Sequence, residues 1–304
     1  MKKLPIFPPI TNACGILSYL PVFEYLEEIG LKNMGAGVSK SSGPMEKLGN
    51  INPTVYWNGN VLMNSFALPS MEPEDFEKEL EQYGGKIPLI LSHYGNSPED
   101  YARSVVRFDK YGIGHEINIS CPNFEPGEKS VMKAMCNTEK GVGVIKAVRG
   151  VTDKPVITKL SPNEDYVAIA KAVAQYTDYI GCGNTIGPGL EIDPYSGYPI
   201  LTGKFGGLSG DAIRPITMKM VHEIYQAVGD EVGIVASGGI SKSEHIISYA
   251  RLGASIFQIG TVLRGKNSKE TVEFFNDLWD GVENILKELK KKSINEIIGE
   301  NHVK

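Results

Sequence analysis

The chain has 304 residues, of which 41% are hydrophobic and 22% charged, with a net charge of −5 and a pI near 5.7. These values fit a globular chain with ample core and argue against a nucleic-acid footprint, which needs a basic face. The four cysteines (Cys14, Cys121, Cys136 and Cys182) form no CxxC and have no histidine at metal-ligand spacing, which argues against structural zinc and a disulfide framework and points to a reducing cytoplasm.

The N-terminal MKKLPIFPPITN is too rich in proline and polar residues for a signal peptide, and no apolar run reaches the roughly 18 residues of a membrane span. In chain order, ITNACG (10–15) predicts a strand, FEYLEEIG a helix and GAGVSK (35–40) a second strand. An irregular stretch follows, SSGPMEKLGNINPTVYWNGNVLMNSFALPS (41–70). EDFEKELEQY then predicts a helix, IPLILSHYG (87–95) a strand, EDYARSVVRFDKY a helix and HEINIS (115–120) a strand. In the last of these Ile117 and Ile119 face one way, Asn118 and Ser120 the other. KGVGVIKAVRGV, KPVITKLS (154–161), DYVAIAKAVAQY and DYIGCGNT (178–185) continue the alternation. A second irregular stretch, IGPGLEIDPYSGYPILTGKFGGLSG (186–210), precedes the helical RPITMKMVHEIYQAVG, the strand VGIVASGGI (232–240), the helical SEHIISYARLG and the strand SIFQIGT (255–261). The amphipathic VEFFNDLWDGVENILKEL ends in a basic run whose cations suit a helix C-terminus.

Eight strands alternating with helices over about 300 residues predict a single (β/α)8 barrel domain spanning 1–304, with a doubly wound parallel sheet as the other arrangement of such units. Both irregular stretches follow strands. In a barrel they are loops on the C-terminal face, where active sites are built.

The strand ends carry the chemistry. ASGGI and QIGT are glycine-rich turns after the last two strands, where backbone N–H groups can approach a phosphate. A single such turn reads equally as a tight bend; two at consecutive strand ends point to a phosphate site. Lys40 and Lys159 each end an apolar strand. Either alone reads as a lysine reaching the rim, but beside a phosphate site the two suit a delocalised anion such as a reduced flavin. Asn64, Asn118, Asn123 and Asn184 form a set of carboxamides able to read a planar ring with imide and amide groups. One such Asn more often serves a turn; the reading rests on all four lying at strand ends or in the first inserted stretch. Cys121 lies between two of these asparagines. A thiol with an unperturbed pKa near 8.5 can act there as a general base, whereas an isolated cysteine is more often buried and inert. None of the five histidines is assigned a catalytic role, His93 being the least secure exclusion because it ends a strand.

Taken together, NISCPN, KSS, TKLSPN, GNTIG with IDP, FGGLSG, SGGI and QIGT resemble the class 1 dihydroorotate dehydrogenases, over nearly the whole chain from NACG to SINEIIG. The resemblance implies FMN in a barrel and the oxidation of dihydroorotate to orotate in pyrimidine synthesis. Cys121 would remove a proton from substrate C5 while a hydride leaves C6 for flavin N5. Asn64, Asn118, Asn123 and Asn184 would hold the pyrimidine, with Thr185 beside flavin and substrate. Backbone amides of the loop after Asn64 (Ser65, Phe66, Ala67 and Leu68) would grip the substrate carboxylate. Lys40, with Ser41 of KSS beside it, would touch flavin and substrate, Asn118 would also meet the flavin, and Lys159 would face its N1–C2 edge. Gly206, Gly207, Gly238, Gly239, Gly260 and Thr261 would wrap the phosphate, and Ala13, Cys14 and Gly15 would line the flavin. The family's substrate loop reads N-S-M-G-L-P-N or close to it; here NSFALPS has Phe66, Ala67 and Ser70 in place of the usual residues, and Ala67 restricts φ where glycine does not.

For the electron acceptor the resemblance implies either a homodimer using fumarate, which SINEIIG resembles, or a partner subunit with FAD and an iron–sulfur centre using NAD, which GGLSGDAIRPITMKMV resembles. The chain has no cysteine cluster for its own iron–sulfur centre. Two other readings fit the barrel: a different FMN reductase of the dihydropyrimidine or dihydrouridine type, or a flavin-free lyase in which Lys159 forms a Schiff base.

Overall fold

The computed structural model describes residues 1–120 and 138–302. Its strands in chain order are β1 (Ile10–Asn12), β2 (Gly37–Val38), β3 (Val55–Trp57), β4 (Leu62–Asn64), β5 (Leu89–His93), β6 (Gly114–Asn118), β7 (Val156–Leu160), β8 (Tyr179–Cys182), β9 (Ile186–Gly189), β10 (Gly206–Ser209), β11 (Gly233–Ser237) and β12 (Ile256–Ile259). Eight of them, β1, β2, β5, β6, β7, β8, β11 and β12, pair in parallel and in chain order. Seven of them fall within the runs that predict strands, and β6 starts one residue before its run, at Gly114. The barrel closes at β1 and β2 through one bridge, Thr11 to Ala36. Asn12 completes that seam with its side chain. Its Oδ1 accepts from the Val38 N–H at 2.7 Å, and its Nδ2 donates to the Val38 carbonyl at 2.8 Å and the Ile16 carbonyl at 2.7 Å. A buried amide here does what a longer backbone ladder does elsewhere.

The helices are α1 (Leu20–Glu28), α2 (Pro73–Gln82), α3 (Pro98–Phe108), α4 (Thr138–Arg149), α5 (Tyr166–Val173), α6 (Arg214–Val228), α7 (Ser243–Arg251) and α8 (Ser268–Glu288). Their starts follow capping chemistry. Ser97 accepts from the Asp100 N–H ahead of Pro98, and Asn267 with Glu270 forms a capping box that begins α8 one turn earlier than its apolar pattern. Tyr101, Ser104, Val105 and Phe108 form the buried stripe of α3, at the three- and four-residue spacing that turns one face to the barrel. Two apolar layers result, a large one between strands and helices and a small one inside the barrel (Val38, Ile90, Ile157, Tyr179, Val235, Ile256). Leu4 joins the inner layer, with its N–H donating to the Tyr179 hydroxyl at 3.0 Å, so the N-terminal segment plugs the barrel floor.

The two irregular stretches of the sequence are not simply loops. Each forms a hairpin arm, and the arms join into a four-stranded antiparallel sheet, β3-β4-β10-β9, over the C-terminal end of the barrel. The β3–β4 pair sets Tyr56 against Met63, and β4–β10 sets Met63 against Leu208. Pairing between segments more than 100 residues apart is invisible to local periodicity.

His93 and His115 lie on the outer side of β5 and β6. The Ser104 hydroxyl is 2.8 Å from His93 Nδ1, His93 Nε2 is 3.0 Å from His115 Nδ1, and His115 Nε2 is 3.0 Å from Asp109. With both rings neutral, every contact has one donor and one acceptor; a proton added at the central contact sets N–H against N–H. Burial holds both pKa values below the ordinary histidine range, His93 strongly so. The unfolded chain therefore binds more protons below about pH 6.5, and the stability contributed by the pair is present above that pH and lost as pH falls. The melting temperature should drop between pH 7.5 and 5.5, and His93→Gln should flatten the drop; a profile identical in the variant would remove the pair from the explanation.

Candidate active site

A cavity of about 590 Å³ opens at the C-terminal end of the barrel beneath the antiparallel sheet. Strand ends build it. Ala13, Cys14 and Gly15 follow β1, and Lys40 and Ser41 follow β2. Asn118 ends β6, Lys159 lies on β7, and Asn184 and Thr185 follow β8. Gly238, Gly239, Gly260 and Thr261 supply the turns after β11 and β12. Asn64, Phe66 and Leu68 reach down from the inserted sheet.

Asn118, Lys159 and Asn184 are held from behind. Asn184 Nδ2 donates to the Ser120 carbonyl at 3.0 Å and to Asn118 Oδ1 at 3.3 Å, while its own Oδ1 accepts from the Thr185 N–H at 2.9 Å. The Tyr101 hydroxyl, on α3, donates to the Asn118 carbonyl at 2.9 Å. Ser120 Oγ donates to the Lys159 carbonyl at 2.9 Å, tying β6 to β7 at the cavity edge. Lys159 pairs with Glu116 at 3.1 Å, both buried. A side chain added at Gly181 would stand 3.2 Å from the Lys159 Cα, so glycine on β8 leaves the lysine its space.

The glycine turns fit an anion. Gly238 and Gly239 have φ of +149° and +65°, and a Cβ on either would press into Thr217 or Arg214 of α6 at 2.7 and 2.6 Å. Only bare backbone fits between the cavity and that helix, and such backbone presents N–H groups to a phosphate. Thr185 Oγ1 is buried at the cavity with no partner among the described residues, leaving a hydroxyl for a ligand. Turns for a phosphate, lysines for an anionic ring edge and carboxamides for ring polar groups make a donor set that suits FMN with a small planar acid.

Four of the expected residues stand back from the cavity. Gly206 and Gly207 lie within β10, where Gly207 pairs with Asn64 and Gly206 with Gly189; Ser209 and Gly210, farther along that segment, line the cavity in their place. Ser65 is buried with its N–H on the Thr54 carbonyl and its carbonyl on Asn50, and Ala67 is buried without lining the cavity. Ala67 and Leu68 have φ of +58° and +55°, so the loop takes the left-handed path despite its alanine, at a cost of roughly 1–2 kcal/mol per residue. Cys121 and Asn123 lie outside the described residues, as does Cys136. Cys182 is fully buried, and desolvation pushes its thiol far above the ordinary range, which fits an inert packing role. Among the described residues no group of three or more His, Cys, Asp or Glu is placed to hold a metal.

Sequence reasoning missed the rim. The Arg264 guanidinium stacks 4.3 Å from the ring centre of Trp57, closing one side of the cavity from β3 and the turn after β12. The only signal was an arginine three residues past QIGT.

A family model described as dihydroorotate dehydrogenase matches residues 4–286. Among curated relatives, the chain is 32% identical over 293 residues to the catalytic subunit of dihydroorotate dehydrogenase B (NAD(+)) of Pyrococcus furiosus, covering 96% of this chain and 94% of the relative. It is 36% identical to the Archaeoglobus fulgidus protein of the same description, over 76% and 77% of the two chains. The Staphylococcus carnosus counterpart is 31% identical over 99% and 96%. Among solved structures, a dihydroorotate dehydrogenase of Eimeria tenella in complex with ferulenol superposes with a TM-score of 0.79 at 19% identity, over 97% of this chain and 85% of that one, a likeness of fold.

Proposed function

This chain belongs to the dihydroorotate dehydrogenase family, and on that premise we propose that it is an FMN-dependent catalytic subunit that passes electrons through a partner subunit to NAD+. It is an oxidoreductase that converts dihydroorotate to orotate in pyrimidine biosynthesis. The observation that carries the cofactor reading is one cavity uniting the glycine turns, Lys40, Lys159, Asn64, Asn118 and Asn184. The partner reading draws on the relatives, which carry the description of the NAD(+) enzyme's catalytic subunit. We assign the reaction to the cytoplasm on the cysteine usage of the chain, which has no CxxC.

FMN, when bound, supplies the two-electron acceptor for the C–H bond broken at substrate C6. The chain supplies everything else. Gly238, Gly239, Gly260 and Thr261 would hold the phosphate, with Ala13, Cys14, Gly15 and Ser41 lining the ring and Lys159 at its polar edge. Asn64, Asn118 and Asn184, joined by Asn123, would orient the substrate ring through paired donors and acceptors, with Thr185 and Lys40 beside it. Backbone amides of the 65–68 loop would meet the substrate carboxylate. Cys121, next in sequence after the anchored Ser120, would take the C5 proton. The antiparallel sheet roofs the cavity, and water displaced from beneath it by the bound cofactor and substrate would strengthen each of these polar contacts.

Anaerobic mixing of the FMN-loaded protein with dihydroorotate should bleach the flavin absorbance in one turnover. NAD+ should not restore it in the isolated chain, because no FAD or iron–sulfur module lies between. A flavin that stays oxidised at saturating dihydroorotate overturns the substrate assignment, and rapid reoxidation by fumarate overturns the partner in favour of the fumarate enzyme.

A further inference from the structure

Below the cavity floor, one charged side chain has no part in the chemistry above. Glu116 points into the barrel from β6, two residues before Asn118, and its side chain is 1% exposed. It does not line the cavity, yet the polar groups of the floor converge on it. Its Oε1 accepts from Lys159 Nζ at 3.1 Å and from Ser92 Oγ at 3.4 Å, and its Oε2 from Gln258 Nε2 at 2.7 Å. Ser92 Oγ lies 2.9 Å from Ser41 Oγ, which lies 3.1 Å from Cys14 Sγ. Since Ser92 donates to the carboxylate, Ser41 can donate to Ser92 and the Cys14 thiol to Ser41. Cys14, Ser41 and Lys159 all line the cavity. The chain of donors therefore starts at the cavity wall, ends on one buried carboxylate and returns to the cavity through Lys159.

A charge this deep requires a partner and several hydrogen bonds. A packing role alone would be met by an apolar residue, as it is at Ile157 and Ile256 in the layer below. We propose that Glu116 is a positioning residue for the redox step: it fixes Lys159 at one place under the cofactor's polar ring edge and offsets its charge, and so sets the reduction potential of bound FMN. This rests on the FMN reading above. An uncompensated ammonium in a water-poor floor favours the reduced, more negative cofactor; the carboxylate behind it moderates that preference.

The test is the midpoint potential of bound FMN, with its dissociation constant, in wild type, Glu116→Gln, Lys159→Met and the double variant. Glu116→Gln keeps shape and should favour reduced over oxidised FMN by roughly 10- to 100-fold, a positive shift of about 30–60 mV at about 30 mV per factor of ten. Lys159→Met should shift the potential the other way. In the Lys159→Met background, adding Glu116→Gln should change the ratio less than about threefold, because Lys159, the cation that Glu116 holds and offsets, is gone. That comparison also decides the matter if Glu116→Gln alone does not fold. A potential unchanged by Glu116→Gln, or a shift as large without Lys159 as with it, overturns the proposal. Wild-type protein that binds no FMN would instead overturn the reading on which it rests.

Discussion

Cys121→Ser is expected to slow the oxidation of dihydroorotate by roughly 10²–10⁴-fold, the range that general base catalysis supplies. A thiol ionises near pH 8.5 when unperturbed and can be poised close to working pH, whereas a serine hydroxyl needs an additional base. The residue before it is anchored at the cavity edge. Ser120 is tied to β7 by its hydroxyl on the Lys159 carbonyl at 2.9 Å and to the segment after β8 by Asn184 on its own carbonyl at 3.0 Å. The chain therefore leaves β6 from a point braced on two neighbouring strand ends, beside the carboxamides that would hold the ring. Stopped-flow bleaching of bound FMN by dihydroorotate, across a pH series, measures the effect. The wild-type rate should rise as the thiol ionises, while the serine variant stays slow until alkaline pH. FMN content and orotate affinity should hold steady, since neither requires proton removal. Traces that coincide near neutral pH would reduce Cys121 to a packed thiol.

The barrel was legible because its two periods differ. Buried strands such as IPLILSHYG read as short apolar runs, and EDYARSVVRFDKY reads as a stripe at three- and four-residue spacing; the structure turns these into β5 and α3. The strand-end residues were legible for the same reason, since a barrel brings all such ends to one mouth. Glu116 shows what the same rule could have yielded. Period two places it on the face of Asn118 and opposite Ile117, so an inward carboxylate was already written into HEINIS. The antiparallel roof was not legible, because β4 and β10 find each other across the whole middle of the chain. That pairing also explains Gly206 and Gly207: the resemblance gives the glycines of FGGLSG a phosphate role, but ladders with Gly189 and Asn64 take up the first two and leave Ser209 and Gly210 at the cavity. The Trp57–Arg264 contact depends on the same roof and was hidden with it.

Gly183→Ala should cost more than about 3 kcal/mol and empty the FMN site, although Gly183 carries no side chain to lose. It follows β8 with φ of +130°, and a Cβ there would fall 1.6 Å from the Ser237 carbonyl oxygen. The obstacle is backbone, held by the parallel pairing of Cys182 with Ala236, so no rotamer change relieves it. Either the ends of β8 and β11 separate or the turn at 183 refolds. Both moves strike the cavity twice, because Asn184 comes next on one side and the Gly238–Gly239 turn on the other. Gly197→Ala separates contact from conformation: it too has positive φ, +73°, but a Cβ there meets nothing within 4 Å. That variant should lose only about 1 kcal/mol from backbone strain. At roughly 1.5–2 °C per kcal/mol for a chain of 304 residues, calorimetry should show a drop of at least about 5 °C for Gly183→Ala and only about 2 °C for Gly197→Ala. Retained FMN, read by absorbance after gel filtration, should fall only in the first. Equal, small shifts with full FMN in both would mean that the strand ends yield freely at this point and that the close approach of Gly183 to Ser237 does not shape the site.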